Sequence, residues 1–300
     1  STLMRSSAAS DVYKRQKMKF VNENATIFVP DGEKEEKALE RTTHLAISAH
    51  QDDIELMAYH GVLQCFGKKD AWFTGVVTAD GAGSPRDSLY KDYTDEEMKA
   101  VRSVEQNKAA FVGEYAAMIQ LGYTSKQIKT PDNDVIVDEY VKLLKAMKPK
   151  YVYTHNLADK HDTHCGVVTK VVKALRKLDK NERPEKVYGC EVWRDLDWVN
   201  DEQKVVFDLS EHPNIAMSLV SVFDSQICGG KRYDLAAQGR RTAHATYAAS
   251  HGCDNATGLG YAMDLTPLIE NDKLDMVDYV LSYVDAFKND VKERLNKVSK

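Results

Sequence analysis

Short apolar runs alternate along the chain with longer stretches whose apolar positions recur every three or four residues. The runs THLAISA (43–49), WFTGVVT (72–78), AAMIQL (116–121), KYVYT (150–154), VYGCEVW (187–193) and KVVFDL (204–209) have the length and side chains of strands. The helical period predicts helices over 54–66, 94–113, 134–148 and 164–178, and further ones over 213–224, 231–249 and 274–298. Thr94 and Glu97 have the spacing of a capping box, which fixes where the second of these begins. Alternation of this kind predicts an α/β fold with a mostly parallel sheet. No repeat, low-complexity linker or composition boundary interrupts it. One domain over 18–300 is therefore expected, with its chemistry in 43–178 and a C-terminal elaboration over 180–300.

Composition changes this picture little. The chain has 300 residues and 43% hydrophobic content, ample for a large core. Its net charge of −5 provides no global basic field for nucleic acid. No apolar run reaches the length of a membrane span, and no secretory apolar centre stands near the N-terminus, so a cytoplasmic location is expected. The five dispersed cysteines predict buried free thiols rather than a disulfide framework. SSAASDVYKRQ (6–16) has the look of a translated sequencing adapter from assembled, bacterial-type metagenomic data. Residues 1–17 are accordingly expected to be a non-native or disordered leader, with Met18 as the native start.

Functional groups of a parallel α/β sheet collect at the carboxyl ends of its strands. Three polar clusters fall there: His50-Gln51-Asp52-Asp53, Asp80-Gly81-Ala82-Gly83-Ser84, and HNLADKHDTH (155–164). His50 and Asp53 are three apart at a strand-to-helix turn, as are His161 and His164. Such residues suit a catalytic zinc site, which takes three N or O ligands and leaves one position open. Asp52 and Asp53 could equally cap the following helix, where carboxylates are favoured. Spacing alone leaves both readings open.

AHQDDIEL resembles the AHPDD(x)E motif of the PIG-L/LmbE-like zinc deacetylases, and THNLADKHDTH resembles their later histidine-rich segment. TADGAGS is similar to the family's T-x-G-x-x-G loop, and Arg102 with Glu105 to its R-x-x-E helix. The resemblance implies a Rossmann-like three-layer αβα fold and a Zn²⁺-dependent hydrolase that removes the N-acetyl group from a small amino sugar or sugar conjugate. It further implies His50, Asp53 and His164 as Zn²⁺ ligands, Asp52 as general base and His161 as stabiliser of the oxyanion. It is also compatible with a homo-oligomer. Two departures stand out: Gln51 replaces the family's proline, and MAYHG (57–61) puts Tyr59 and His60 where small residues are usual. His60 is expected to pack locally rather than to ligate.

Substrate contacts are expected from Asp80, Arg86, Arg102, Trp193 and Arg194. Trp193 and Trp198 among acidic residues suit a sugar face, or a strand end packed into the core. Arg102 suits a substrate anion, or an ion pair with Glu105. The basic residues of GGKRYDLAAQGRR (229–241) are expected on a solvated helix surface, and His244 in packing. The alternatives to deacetylation are a zinc amidase acting on a larger thiol or peptide conjugate, and a non-catalytic sugar- or nucleotide-binding protein.

Overall fold

A computed structural model describes residues 18–299. The leader expected over 1–17 lies outside the described residues. Eight strands form one sheet: β1 (Thr26–Phe28), β2 (His44–Ser48), β3 (Phe73–Ala79), β4 (Ala117–Tyr123), β5 (Tyr151–His155), β6 (Lys186–Cys190), β7 (Val205–Asp208) and β8 (Leu259–Asp264). Their order is β1-β4-β3-β2-β5-β6-β8-β7. The five strands from β4 to β6 pair in parallel. β1 closes one edge antiparallel, and β8 and β7 extend the other in the same way. The expected α/β fold is present, with parallel pairing confined to the centre.

β2 and β3 are buried along their whole length, as strands covered by helices on both faces must be. Two apolar clusters, one centred on Ile119, Tyr140 and Val171, the other on Ile54, Phe73 and Tyr153, form the two layers. From β2 the chain runs outward through β3 to β4, then returns to place β5 on the other side of β2. The β2–β5 boundary is thus the point where strand order reverses, and the crevice beyond the carboxyl ends of such a pair is where ligands of open α/β sheets bind.

The capping box forms as expected. Thr94 Oγ1 accepts from Glu97 N at 3.3 Å, and Glu97 Oε2 accepts from Thr94 N at 2.8 Å. The helix expected over 54–66 is instead two, Asp53–Met57 and Tyr59–Cys65, broken at Ala58. Arg241 supplies the reason. Its guanidinium donates to the carbonyls of Glu55 (2.8 Å) and Leu56 (3.3 Å), which a continuous helix would offer to the N–H groups of Tyr59 and His60. Arg241 is buried, with its guanidinium 5.0 Å from the Tyr59 ring centre. The solvated surface expected for 229–241 is therefore wrong at this residue.

Other departures are local. β1 and β8 were not anticipated, and β6 ends at Cys190. Of the cysteines, Cys65 and Cys190 are buried, but Cys228 and Cys253 are exposed; all are free. His60 stacks on Phe207 (4.1 Å) and hydrogen-bonds Tyr153 (2.9 Å), and His244 stacks on Tyr261 and pairs with Glu191, so both pack. Replacing Arg241 with Met leaves two buried carbonyls without their donor. It should lower the free energy of unfolding by about 2–4 kcal/mol, measured by urea denaturation.

Candidate metal centre

The turn after β2 sets the first half of the site. Asp52 has φ 78°, a left-handed conformation that Asp tolerates better than most residues. The turn separates two neighbouring carboxylates. Asp52 Oδ2 accepts from both terminal nitrogens of Arg102 at 3.3 Å, whereas Asp53 Oδ2 accepts the His50 backbone N–H at 2.7 Å. Arg102 also donates to Gln51 O at 2.5 Å, fixing the turn from below. Gln51 is buried, and its amide bonds Ala79 O and Gln120. Gly81 (φ 80°) lets the loop after β3 approach, because a Cβ there would lie 2.7 Å from Gln51 Oε1.

The second half comes from β5 and the helix Asp162–Arg176. His161 is the N-cap, its Nδ1 accepting from Thr163 N at 3.2 Å. The neutral ring then carries its proton on Nε2 and is a donor at that atom. His164, one turn on, is fully buried and directs Nδ1 to Asp159 Oδ2 at 3.2 Å, which leaves Nε2 as the free nitrogen.

The halves meet in a triangle. His50 Nδ1, Asp53 Oδ2 and His164 Nε2 lie 3.3 Å from one another on every side. Ligand atoms about 3.3 Å apart span one face of a tetrahedron whose metal–ligand bonds are about 2.0 Å, the length usual for zinc with N and O donors. A second triplet, His155, Asp159 and His164, is also close enough to hold an ion. There, however, His155 Nε2 already accepts Ala49 N at 2.8 Å, and Asp159 is engaged by His164 Nδ1 and by Trp193 N. In the first triplet no backbone N–H occupies His50 Nδ1 or His164 Nε2, and Asp53 Oδ2, which accepts His50 N, keeps a second lone pair.

Electrostatics follow the same division. Burial alone would raise the Asp53 carboxyl, but His164, with His50 and His155, outweighs it and holds the group far below the usual carboxylate range. Burial opposes charge on His164 too, yet Asp53 and Asp159 prevail and raise its pKa. Asp52 is pushed up to about 7, chiefly by burial, with Asp53 adding and Arg102 opposing. His161 is lowered, first by burial and then by His164 and His50.

Residues 45–175 match the model of the PIG-L family, described as GlcNAc-PI de-N-acetylase, and all three atoms of the triangle belong to that stretch. The chain carries a PIG-L domain. No curated protein matches the chain. Among solved structures, N,N'-diacetylchitobiose deacetylase from Pyrococcus horikoshii is 12% identical with a TM-score of 0.59, over 77% of this chain and 86% of that one. The A40926 pseudoaglycone deacetylase is 14% identical with a TM-score of 0.55, over 75% and 97%. The 4-carboxy-2-hydroxymuconate hydratase from Pseudomonas putida is 15% identical with a TM-score of 0.54, over 75% and 95%. These likenesses show the fold, and the hydratase shows that the fold does not determine the reaction.

Around the triangle a cleft of about 250 Å³ opens, lined among others by His50, Asp52, Asp53, Arg102, His161, Trp193 and Tyr233. Arg102 lies at its floor, paired with Asp52, while Glu105 accepts instead from Ser225 N and Oγ. Asp80, Arg86 and Arg194 are not on the wall. Asp80 faces Lys99 at 3.4 Å, Arg86 is tied to Asp95 at 2.5 Å, and Arg194 is exposed. Lys231, expected in solvent, lies half-buried over the Trp193 ring. His155 and Asp159 lie in the 155–164 segment, whose spacing points to His161 and His164 alone. A carboxylate behind a ligating histidine is the signal that could have found Asp159.

Saturating Zn²⁺ should raise the melting temperature of chelator-stripped protein, since ligand at 100 times its Kd adds about 2.7 kcal/mol. Asp53→Ala or His164→Ala should abolish both the shift and the one equivalent of metal found by elemental analysis.

Proposed function

We propose that this chain is a metal-dependent N-deacetylase acting on an N-acetylated amino sugar or sugar conjugate, with His50, Asp53 and His164 holding the cation. The observation that carries the reading is the triangle of convergent N and O atoms beside a carboxylate, Asp52, that is turned away from it. A divalent cation bound there, Zn²⁺ by its donor set, would acidify a water and polarise the amide carbonyl.

The chain's own groups supply the rest. Asp52, with a carboxyl near 7, accepts a proton from the attacking water when ionised and returns it to the departing amine. Arg102 keeps that carboxylate oriented through two contacts and cannot itself lose a proton. His161, neutral and with its proton on Nε2, donates to the carbonyl oxygen as negative charge develops. Asp159 fixes the His164 ring behind the ligand nitrogen. Trp193 and Tyr233, edge-to-face at 6.2 Å, give the cleft an aromatic wall suited to the C–H face of a sugar.

Metal-loaded protein should release acetate from at least one member of a panel of N-acetyl hexosamines, their phosphates, conjugates and oligosaccharides. If zinc is bound and no member yields acetate, the reading is wrong. Asp52→Asn should lower kcat by about 10²–10⁴ while leaving bound metal unchanged. Because the base must be ionised, kcat/KM should fall on the acid side. A neighbouring cation favours the ionised form, so that limb should lie below the value of about 7 set by the protein alone.

A further inference from the structure

The helix Met276–Val298 lies on the domain by one side only. Tyr283 is its single buried residue, joined by Tyr279, whose hydroxyl donates to Asp264 O; among the described residues none from 284 to 299 is buried. The other side carries Val277, Leu281, Val284, Val291, Leu295 and Val298, all between 39% and 83% exposed, whereas Phe287 sits edge-to-face with Trp198 of the domain. With Lys288 included, positions 277, 281, 284, 288, 291, 295 and 298 alternate in steps of four and three. That is the a/d seam of a coiled coil, narrower than the broad stripe by which a helix covers a globular core.

The charges beside the seam are unpaired. Asp278, Asp285, Lys288 and Lys292 have no ion-pair partner among the described residues; the helix's one internal pair is Arg294 with Asp290. Over 276–286 there are two acidic and no basic residues, and over 287–298 four basic and two acidic. The helix thus has a half of charge −2 and a half of charge +2.

We propose that the seam is filled by the same helix of a second copy of this chain, running antiparallel about a two-fold axis. A parallel arrangement would set like halves together; the antiparallel one sets each acidic half against a basic half. Val277 then layers on Leu295, Leu281 on Val291 and Val284 on Lys288 of the other copy. A lone lysine in such a seam fixes register at some cost in stability, and here its ammonium meets Asp285 of the other copy. A lipid surface is the poorer occupant: acidic residues flank the stripe, and none of its positions is aromatic.

Sedimentation equilibrium and light scattering on the full chain test this. The expected result is twice the 33.8 kDa chain mass. Leu281→Asp with Leu295→Asp should give a monomer whose circular dichroism and melting temperature above the transition of the dimer interface match a folded domain. Asp285→Lys and Lys288→Asp should each raise the dimer Kd about tenfold or more, and the two together should restore it. The proposal fails if the chain is monomeric at roughly 100 µM. It also fails if the leucine variant still dimerises, as it would through the exposed patch at Val104 and Phe111, or if the charge exchange does not restore the dimer. A monomer that co-sediments with phosphatidylserine-containing vesicles would likewise overturn it.

Discussion

Asp53 Oδ2 lies 3.3 Å from His50 Nδ1, 3.3 Å from His164 Nε2 and 3.5 Å from His155 Nε2, in a site almost closed to water. A buried carboxylate is stable only with compensating charge. The surrounding structure supplies that compensation in part and keeps the remaining lone pairs convergent. Ala49 N occupies His155, Asp159 turns His164, and the turn at Asp52 removes the second carboxylate to Arg102. Each arrangement is explicable as a way of preventing an alternative pairing at Asp53. His50 Nδ1 and His164 Nε2 are the two nitrogens left nearest to Asp53 Oδ2.

Most of the cleft lining lies in the same stretch of chain as the triangle, but part of the wall does not. The ligand triangle, Asp52 and His161 belong to the stretch that matches the PIG-L family, whereas Trp193, Lys231 and Tyr233 come from beyond it. Arg241, also from beyond it, reaches back to break the helix that begins at Asp53. The C-terminal elaboration is therefore structurally bound to the stretch that carries the triangle, through Arg241 and through Trp193 N, which donates to Asp159.

Much of this was legible from local pattern. The strand runs and amphipathic stretches placed the central sheet, the Thr94 capping box was right in detail, and the polar clusters at the ends of β2 and β5 do converge. What escaped was non-local. Nothing near residue 58 announces a break caused by Arg241, and nothing in the 229–241 composition says that this arginine is buried. β1 has three residues and a half-exposed face, too short for periodicity to register. Asp80, Arg86 and Arg194 had suitable chemistry, but their nearest partners, or solvent, lie off the cleft wall. His155 reads as a ligand by type, and only the backbone N–H on its Nε2 shows why that atom is occupied.

The reversal of strand order at β2 and β5 also has a kinetic side. His50 and His164 are 114 residues apart, and they meet only when β5 docks beside β2 after β3 and β4 have been laid down on its other flank. Long-range parallel pairing of this kind is slow to form, because chain entropy must be lost before the contact is gained. The site is complete only once β5 has paired with β2, so an ion held there would act on a state in which that pairing already exists. Its effect would fall on the rate of unfolding rather than on the search that precedes it.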